Sequence, residues 1–257
     1  MYTLAGVVDE DRGWGIKQDT FHCQESLGSF GYETWFKLGD RDLATHIFRT
    51  YQLRKGWTLS QVTEQLSKAL GLKVKILPMT DDKVETRVLT ADNEIHFEEY
   101  FVKRQMKDDV RSVKFFGVEK AEPGPSVIES IRGAEAIIIA PSNPLVSIGP
   151  ILAIREIRKA IKASRDRTVA VSPIIRGSAI KGPADRMMRS LGREASAFGV
   201  AKAYQDLLYG FVLDQLDEDQ KPRVEGLGLK VTATNTVMKS LEDKKKLAKA
   251  CLELALH

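Results

Sequence analysis

The stretch "KLGDRDLATH", residues 37 to 46, concentrates ionisable side chains among apolar ones, namely Lys37, Asp40, Arg41, Asp42 and His46. Carboxylates can orient a hydroxyl group and accept its proton, and cations can hold an anionic oxygen. A solvated helix face crossed by ion pairs between residues four apart has the same composition. The stretch therefore indicates either a polar pocket that meets a charged substrate or an exposed helix face.

Two similar loops in the second half of the chain carry the other candidate chemistry. "PSNPLVSIGP" and "SPIIRGSAIKGP" each follow an apolar run of the kind found in buried parallel strands, and each ends in Gly-Pro. We expect each proline at the first position of a helix whose amide groups face an anion. Ordinary turns have similar residues, but two such loops on consecutive strands favour a nucleotide or phosphate site. Its predicted residues are Ser142, Asn143, Ser147, Gly149, Arg176, Lys181 and Gly182.

A helix over the charged stretch is the first element that would position these residues. Leu43, Ile47 and Tyr51 recur every four residues, which predicts an amphipathic helix with these side chains buried and the polar residues on the opposite face. Asp40 or Asp42 is the expected N-cap, because a carboxylate can accept from the unpaired amide groups of the first turn.

A second helix is marked by a capping box of Thr58 and Gln61, and strand-like segments follow it. "VKILP", "VETRVL", "EIHFEEYFV" and "SVKFFGV" alternate in hydrophobicity and predict an antiparallel insertion over residues 73–119. Between the first two, "PMTDD" supplies Thr80 and Asp81 as minor site candidates. Adjacent acidic residues after a strand are more often part of a turn.

The rest of the chain alternates helices with buried strands. "AEAIIIAP" and "TVAVSP" predict neighbouring strands near 136–140 and 168–172, and "GPILAIREIRKAIKAS" predicts one helix between them. This alternation is typical of an α/β fold with a doubly wound, mainly parallel sheet.

Composition excludes several classes of protein. The chain has 257 residues and a formal net charge of +4, from 39 Lys and Arg against 35 Asp and Glu. This mild charge, without arginine-rich tracts, argues against nucleic acid as a partner and is compatible with anionic small molecules. Two distant cysteines favour a reducing, cytoplasmic location. No apolar run approaches the roughly 20 residues of a membrane span.

Five motifs, in chain order, closely resemble the 2-phospho-L-lactate transferase family of coenzyme F420 biosynthesis: "LGDRDLATH", "LPMTDD", "IHFEEYFV", "APSNPLVSIGPIL" and "VSPIIRG". The resemblance implies a Rossmann-like core and a transferase activity. Such enzymes move a phosphorylated three-carbon acid, of phospholactate or phosphoenolpyruvate type, from a guanosine diphosphate ester to the deazaflavin Fo. They release GMP and use Mg²⁺.

The resemblance also implies roles and a division of the chain. Residues 1–72 would be the helical, acceptor side of the core, 73–119 the antiparallel insertion and 120–257 the Rossmann-like nucleotide side. The expected catalytic residues are Asp40 and Asp42. The expected Fo-binding residues are Lys37, Arg41, His46, Thr80 and Asp81, with Trp14 and Trp35 as possible stacking partners of the ring. The guanosine diphosphate ester would occupy the two Gly-Pro loops, and a homodimer is expected.

One departure from the family pattern bears on the metal. Family members usually open with a strand and a glycine-rich turn, followed by an acidic segment, whereas this sequence begins inside the pattern at "MYTLAGVVDEDRGWG". We therefore expect the metal-binding aspartates upstream of Met1 and assign no metal ligand. A non-catalytic nucleotide-binding protein is the alternative function. A nicotinamide-dependent oxidoreductase is disfavoured, because no G-x-G-x-x-G follows a predicted strand.

Overall fold

Residues 1–81 form a helical unit in the computed structural model, which describes residues 1–256. Its helices are α1 (His22–Ser29), α2 (Asp40–Arg54) and α3 (Leu59–Ala69). The predicted capping box of α3 is confirmed, because the Gln61 amide donates to the Thr58 hydroxyl (3.2 Å) and the Thr58 amide donates to the Gln61 side chain (2.9 Å). Both bonds satisfy amide groups that the helix leaves unpaired.

Helix α2 is present as predicted, but it does not bury the predicted face. Ile47 is 61% exposed and Tyr51 is 55% exposed, whereas Asp42 is only 8% exposed. The expected burial of Ile47 and Tyr51 is therefore wrong. The helical period identifies the residues that share a face, but it does not say which face the rest of the protein covers. On the polar face, the buried Asp42 accepts from Tyr2, a residue outside the helix.

The second unit begins at Asp82 and contains an antiparallel sheet. Its strands, in spatial order β2, β1 and β3, are β1 (Glu85–Leu89), β2 (Glu94–His96) and β3 (Ser112–Phe116). The antiparallel insertion is thus confirmed with three strands rather than four, because "VKILP" pairs with no strand.

The segment "EIHFEEYFV" is a strand only as far as His96. It then turns helical and includes a π-helix at Glu99–Lys103. Phe97, Tyr100 and Phe101 are spaced three and four residues apart, which is the period of a helix rather than of a strand. The prediction of one continuous strand is therefore wrong in its second half.

A parallel sheet forms the centre of this unit and confirms the predicted α/β fold. Its strands, in spatial order, are β4 (Ile137–Ile139), β5 (Thr168–Val171), β8 (Gly210–Asp214) and β9 (Lys230–Thr234). The expected pairing of the first two is confirmed, with Ile137 opposite Thr168 and Ile139 opposite Ala170. Between β5 and β8 lies a hairpin of β6 (Ile174–Ile175) and β7 (Ser178–Ala179).

Helices connect and cover the parallel strands. They are α4 (Val127–Gly133), α5 (Ile148–Ala153), α6 (Arg155–Ala163), α7 (Ala184–Ser190), α8 (Ala197–Tyr204), α9 (Lys221–Glu225) and α10 (Leu241–Leu256), with 3₁₀ helices at Arg165–Arg167 and Gln215–Gln220. The predicted single helix after β4 is divided at Ile154, whose backbone is extended and whose side chain is buried. Within residues 1–256, no helix combines the length and the apolar composition that a membrane crossing needs.

The C-terminal helix α10 covers one face of the parallel sheet. Leu247, Cys251 and Ala255, spaced four residues apart, pack against Val169 and Val212 of two neighbouring strands. Burial of this stripe removes apolar surface from water and fixes the helix on the sheet.

We expect Leu247→Ala to lower the free energy of unfolding by about 2 to 5 kcal/mol, because it leaves a cavity beneath α10. Leu252→Ala on the same helix is the matched control, since Leu252 is 43% exposed and its loss should cost less than about 0.5 kcal/mol. Urea unfolding of both variants measures the difference. Equal losses would contradict the packing of α10 on the sheet.

Candidate functional site

A cavity of about 570 Å³ lies where the loops that follow parallel strands meet. Residues after β4, β5 and β9 line it, together with the loop between β7 and α7. Because the strands are parallel, these loops all leave the same edge of the sheet, where α/β proteins bind their ligands. Five of the seven predicted nucleotide-binding residues line this cavity: Ser142, Asn143, Ser147, Lys181 and Gly182.

Asn143 shapes the loop that follows β4. Its Oδ1 accepts from the Leu145 amide (2.9 Å) and the Val146 amide (3.4 Å). Its carbonyl oxygen accepts from the amides of Ser147 (3.1 Å) and Ile148 (3.0 Å), where α5 begins. These bonds make a compact turn of the kind that asparagine favours, and the turn presents the serine hydroxyl groups of the loop to the cavity.

Lys181 supplies the positive charge of this cavity. Across the described residues, its ammonium group forms no ion pair, and the side chain is exposed. The next residue, Gly182, has a φ of 76°, a left-handed conformation that glycine adopts without strain. The glycine thus allows the turn that carries Lys181 along the cavity, where the amine can meet a phosphate group.

Gly149 and Arg176 do not line the cavity. An added Cβ at Gly149 would lie 3.0 Å from the Phe115 ring and 3.1 Å from the Pro144 carbonyl oxygen, so close packing accounts for this glycine. Arg176 is in the two-residue turn between β6 and β7, with a φ of 48°. Its amide donates to both carboxylate oxygens of Asp217 (3.0 and 3.1 Å).

The two Gly-Pro pairs are not placed as predicted. Pro150 is the third residue of α5, and Pro183 precedes the first residue of α7. The Asn143 turn already starts the first helix at Ile148, whereas the left-handed conformation of Gly182 delays the second. The helices have only six and seven residues, so the side chains of the loops, rather than helix dipoles, define the chemistry of this cavity.

Sequence reasoning missed part of the cavity lining. The overlooked residues include Phe97, Phe101, Ser172, Thr236, Val237 and Met238. Thr236 is held by Asp214, a 1% exposed residue whose Oδ2 accepts from the Thr236 amide (2.8 Å) and hydroxyl (3.0 Å). The apolar run "GFVLD" was an available signal, because a further parallel strand brings its following loops to the same edge.

In the first unit, α1 and α2 are each capped by an aspartate from outside the helix. Asp19 accepts from the amides of Arg41 (2.9 Å) and Asp42 (3.2 Å) in the first turn of α2. Asp40 accepts from the amides of His22 (3.2 Å) and Cys23 (3.0 Å) in the first turn of α1. The prediction that Asp40 or Asp42 caps its own helix is therefore wrong.

The N-cap of α2 is Gly39, which has no side chain that could accept a hydrogen bond from the first turn. A side chain at Gly39 would collide with the Asp19 carboxylate, so glycine leaves room for a cap supplied from elsewhere. Hydrogen bonds, first from the Thr20 hydroxyl (2.6 Å) and then from the Cys23 amide, lower the pKa of Asp40. A carboxylate stabilised in this way is a weak proton acceptor.

Asp42 is in a different environment. The Tyr2 hydroxyl donates to Asp42 Oδ1 (2.8 Å), and His46 Nε2 lies 3.5 Å from the same oxygen. The Arg49 guanidinium contacts His46 Nδ1 (2.6 Å). Arginine has no acceptor, so Nδ1 accepts and the hydrogen of the neutral ring lies on Nε2, facing Asp42. The polar face of α2 is therefore a connected hydrogen-bonding chain.

Burial affects the protonation of the side chains in this hydrogen-bonding chain. It raises the pKa of Tyr2 to about 12, so the phenol stays a donor. Burial and the nearby Arg49 charge lower the pKa of His46, although Asp42 opposes the shift. At neutral pH the imidazole of His46 is therefore neutral and lies between the guanidinium of Arg49 and the carboxylate of Asp42. Both side-chain contacts of Asp42 within residues 1–256 use Oδ1, which leaves Oδ2 for a further donor.

The remaining acceptor candidates are spread over the first unit. Lys37 lines a second cavity of about 610 Å³ with Trp14, Phe21 and Arg12, whose guanidinium lies 5.3 Å from the Trp14 ring centre. Trp35 lines a different cavity and packs edge-on against Phe36.

Besides His46, described above, three more of the predicted Fo-binding residues lie outside the Lys37 cavity. Arg41 is exposed, and its amide donates to Asp19. Thr80 is buried, and Asp81 Oδ1 accepts from the Ser60 amide (2.6 Å) at the start of α3. The structure therefore gives Asp81 a capping role. Of the other acceptor candidates, only Trp14 lines the same cavity as Lys37.

Comparison with known proteins gives a family and a fold. The family model described as 2-phospho-L-lactate transferase CofD matches residues 2–241. A 2-phospho-L-lactate transferase of Methanosarcina mazei is 40% identical and covers 98% of this chain and 83% of its own length. A phosphoenolpyruvate transferase of Streptomyces griseus is 41% identical, with 99% and 82% covered. A crystal structure of a UPF0052 family member from Bacillus halodurans matches the fold with a TM-score of 0.60 at 15% identity, covering 83% of this chain and 71% of that one.

The lowered pKa of His46 makes stability depend on pH. Protonation is harder in the folded state than in the unfolded state, so the contribution of His46 is present above its ordinary pKa and is lost as pH falls below it. We expect acidification from about pH 7.5 to about pH 5 to lower the free energy of unfolding more in the wild type than in His46→Gln. His22→Gln is the control, because the His22 side chain is 80% exposed. Identical pH profiles for the wild type and His46→Gln would contradict the arrangement.

Proposed function

The chain belongs to the 2-phospho-L-lactate transferase CofD family, and from this we propose that it transfers a phosphorylated three-carbon acid from a guanosine diphosphate ester to the deazaflavin Fo, releasing GMP. It acts as a transferase consistent with coenzyme F420 biosynthesis. The observation that carries the assignment of the nucleotide is the cavity shared by Ser142, Ser147 and Lys181. The sequence predicted these residues in two separate loops because their side chains can bind phosphate, and both loops line this cavity.

Each substrate is assigned to one unit of the chain. The guanosine diphosphate ester occupies the cavity of the second unit, where Lys181 pairs with its phosphate oxygens and the serine hydroxyl groups donate to them. Fo is bound by the first unit, with Lys37 and Trp14 as contacts from the aromatic cavity and the polar face of α2 as the source of acid–base groups.

The transfer is a displacement at phosphorus. The primary hydroxyl group of Fo forms a bond to the phosphorus of the phospho-acid, the anhydride bond to GMP breaks, and the hydroxyl proton passes to a base. Positioning and neutralisation of charge supply most of the rate in such reactions. Asp42, whose two side-chain contacts within residues 1–256 both use Oδ1, is the proposed proton acceptor. Asp40 supports it by holding the start of α1.

Magnesium stays a prediction from the family resemblance. Among residues 1–256, no group of three or more His, Cys, Asp or Glu side chains is arranged to hold a metal ion. Magnesium usually keeps several waters and takes one or two carboxylates together with substrate phosphates. We therefore assign the ion to no residue of this chain and give it no part in the steps above.

The transferred acid is left as a class. Relatives of nearly equal identity, 40% and 41%, have the names 2-phospho-L-lactate transferase and phosphoenolpyruvate transferase. We propose a phosphorylated three-carbon acid, and assays with both guanosine diphosphate esters would identify it. A homodimer and a cytoplasmic location are further predictions.

A non-catalytic nucleotide-binding protein is the second candidate, and the family membership does not favour it. GMP release with and without Fo separates the two functions. A transferase releases GMP in proportion to the Fo consumed, whereas a binding protein binds guanosine diphosphate and releases none.

We expect Lys181→Ala to raise the Kd of GDP about ten- to a hundredfold, because it removes a charge-assisted hydrogen bond. The Kd of Fo should stay nearly unchanged. Lys249→Ala on α10 is the matched control, because its side chain is 77% exposed. Calorimetry with both ligands measures the difference. An equal loss for GDP and Fo would mean that the two substrates are wrongly assigned to the two units.

We expect Asp42→Asn to lower turnover about a hundredfold or more while the Tm stays near that of the wild type. Asparagine still accepts a hydrogen bond from the Tyr2 hydroxyl, but it has no negative charge to receive a proton. Glu64→Gln, at a side chain that is 66% exposed, is the control. Turnover is followed as GMP release in the presence of Fo. Near-normal turnover in Asp42→Asn would mean that the polar face of α2 has a structural role and not a catalytic one.

A further inference from the structure

The segment that leads from β2 into the π-helix Glu99–Lys103 forms one wall of the nucleotide cavity. Phe97 and Phe101, both half-buried, line the cavity, whereas Tyr100 between them is 1% exposed and anchors the segment. The rings of Phe97 and Phe101 are stacked, with centroids 5.6 Å apart and planes 16° apart. They form a single aromatic surface, which we call the aromatic wall.

The backbone of this segment is unusual in two ways. A π-helix is rare in proteins and is frequently found at functional sites. It is followed by Gln105 and Met106, two consecutive non-glycine residues with positive φ angles of 53° and 58°. Such conformations are costly and persist where the surrounding structure holds them. The segment therefore keeps two rings at the cavity at the expense of regular backbone geometry.

The lining of the cavity has two kinds of chemistry. Ser142, Ser147 and Lys181 suit phosphate oxygens, whereas the aromatic wall offers only apolar ring faces and edges, and Val237 and Met238 add apolar surface. A nucleoside diphosphate has the same two parts, a charged diphosphate and a planar base. Aromatic side chains bind bases by stacking, which does not require a particular hydrogen-bonding pattern.

We propose that Phe97 and Phe101 bind the planar purine base of the nucleotide. Contacts with the aromatic wall then raise the affinity for the whole nucleotide but not the affinity for its diphosphate alone. The inference rests on the proposed function, because it assigns one part of the same cavity. Gly182 supports it, since an added Cβ there would lie 3.9 Å from the Phe101 ring. The wall thus lies next to the loop that carries Lys181.

The test compares GDP with inorganic pyrophosphate, which has the diphosphate but no base. Phe97→Leu and Phe101→Leu should raise the Kd of GDP at least about fivefold, because each removes an aromatic face, and should leave the Kd of pyrophosphate unchanged. Lys181→Ala should weaken both ligands. Phe101→Tyr should keep affinity for GDP near that of the wild type, because it keeps the ring. Phe116→Leu, on β3 and 46% exposed, is the matched control outside the cavity and should change neither Kd.

The outcomes separate the inference from the proposed function. If wild-type protein binds GDP and both leucine variants bind it equally well, the aromatic wall does not bind the base and the inference is wrong. The same conclusion follows if the leucine variants weaken GDP and pyrophosphate to the same extent, or if Phe101→Tyr is as weak as Phe101→Leu. Failure of the wild type to bind GDP would overturn the proposed function as well.

Discussion

The parallel pairing of β4, β5, β8 and β9 is the constraint on which the cavity lined by Ser142 and Lys181 depends. Parallel strands direct their carboxyl ends to one edge, so loops that are distant in the sequence meet there. Ser142 and Thr236 line the same cavity although more than ninety positions separate them. Had β9 paired antiparallel with β8, Thr236 would lie at the opposite edge. The serine, lysine and threonine side chains are chemically ordinary, and their convergence gives the cavity its character.

Local signals in the sequence predicted the elements better than their orientation. The capping box at Thr58 and the buried strands could be recognised from neighbouring residues alone, and adjacent buried strands implied a shared edge. The orientation of α2 could not be recognised in this way, because the contacts that decide it come from elsewhere in the chain. Asp40 likewise caps α1, a helix that starts eighteen positions before it. The aromatic wall was missed because "EIHFEEYFV" was interpreted as a strand, which hid the spacing that places Phe97 and Phe101 together.

Two candidate residues have a structural role that is sufficient to explain their identity. Gly149 leaves room for the Phe115 ring, and Asp81 accepts from an amide at the start of α3. Asp217 holds only the backbone amide of Arg176, which does not explain an arginine at that position. A loss of activity in variants at Gly149 or Asp81 would pass through packing or backbone geometry rather than through substrate contacts. Lys181 differs, because no ion pair within the described residues accounts for it. Variants at positions with a structural role therefore test packing and backbone geometry, whereas a variant of Lys181 tests ligand binding.

The aspartate caps of α1 and α2 have a dynamic consequence. Asp19 satisfies amide groups of α2, and Asp40, the first residue of α2, satisfies amide groups of α1. Unwinding the first turn of α2 moves Asp40 away and releases the Cys23 amide at the same moment. Local opening at the start of α2 thus also exposes the start of α1, so we expect the capped amide hydrogens of both to exchange with solvent through one opening with a common free energy.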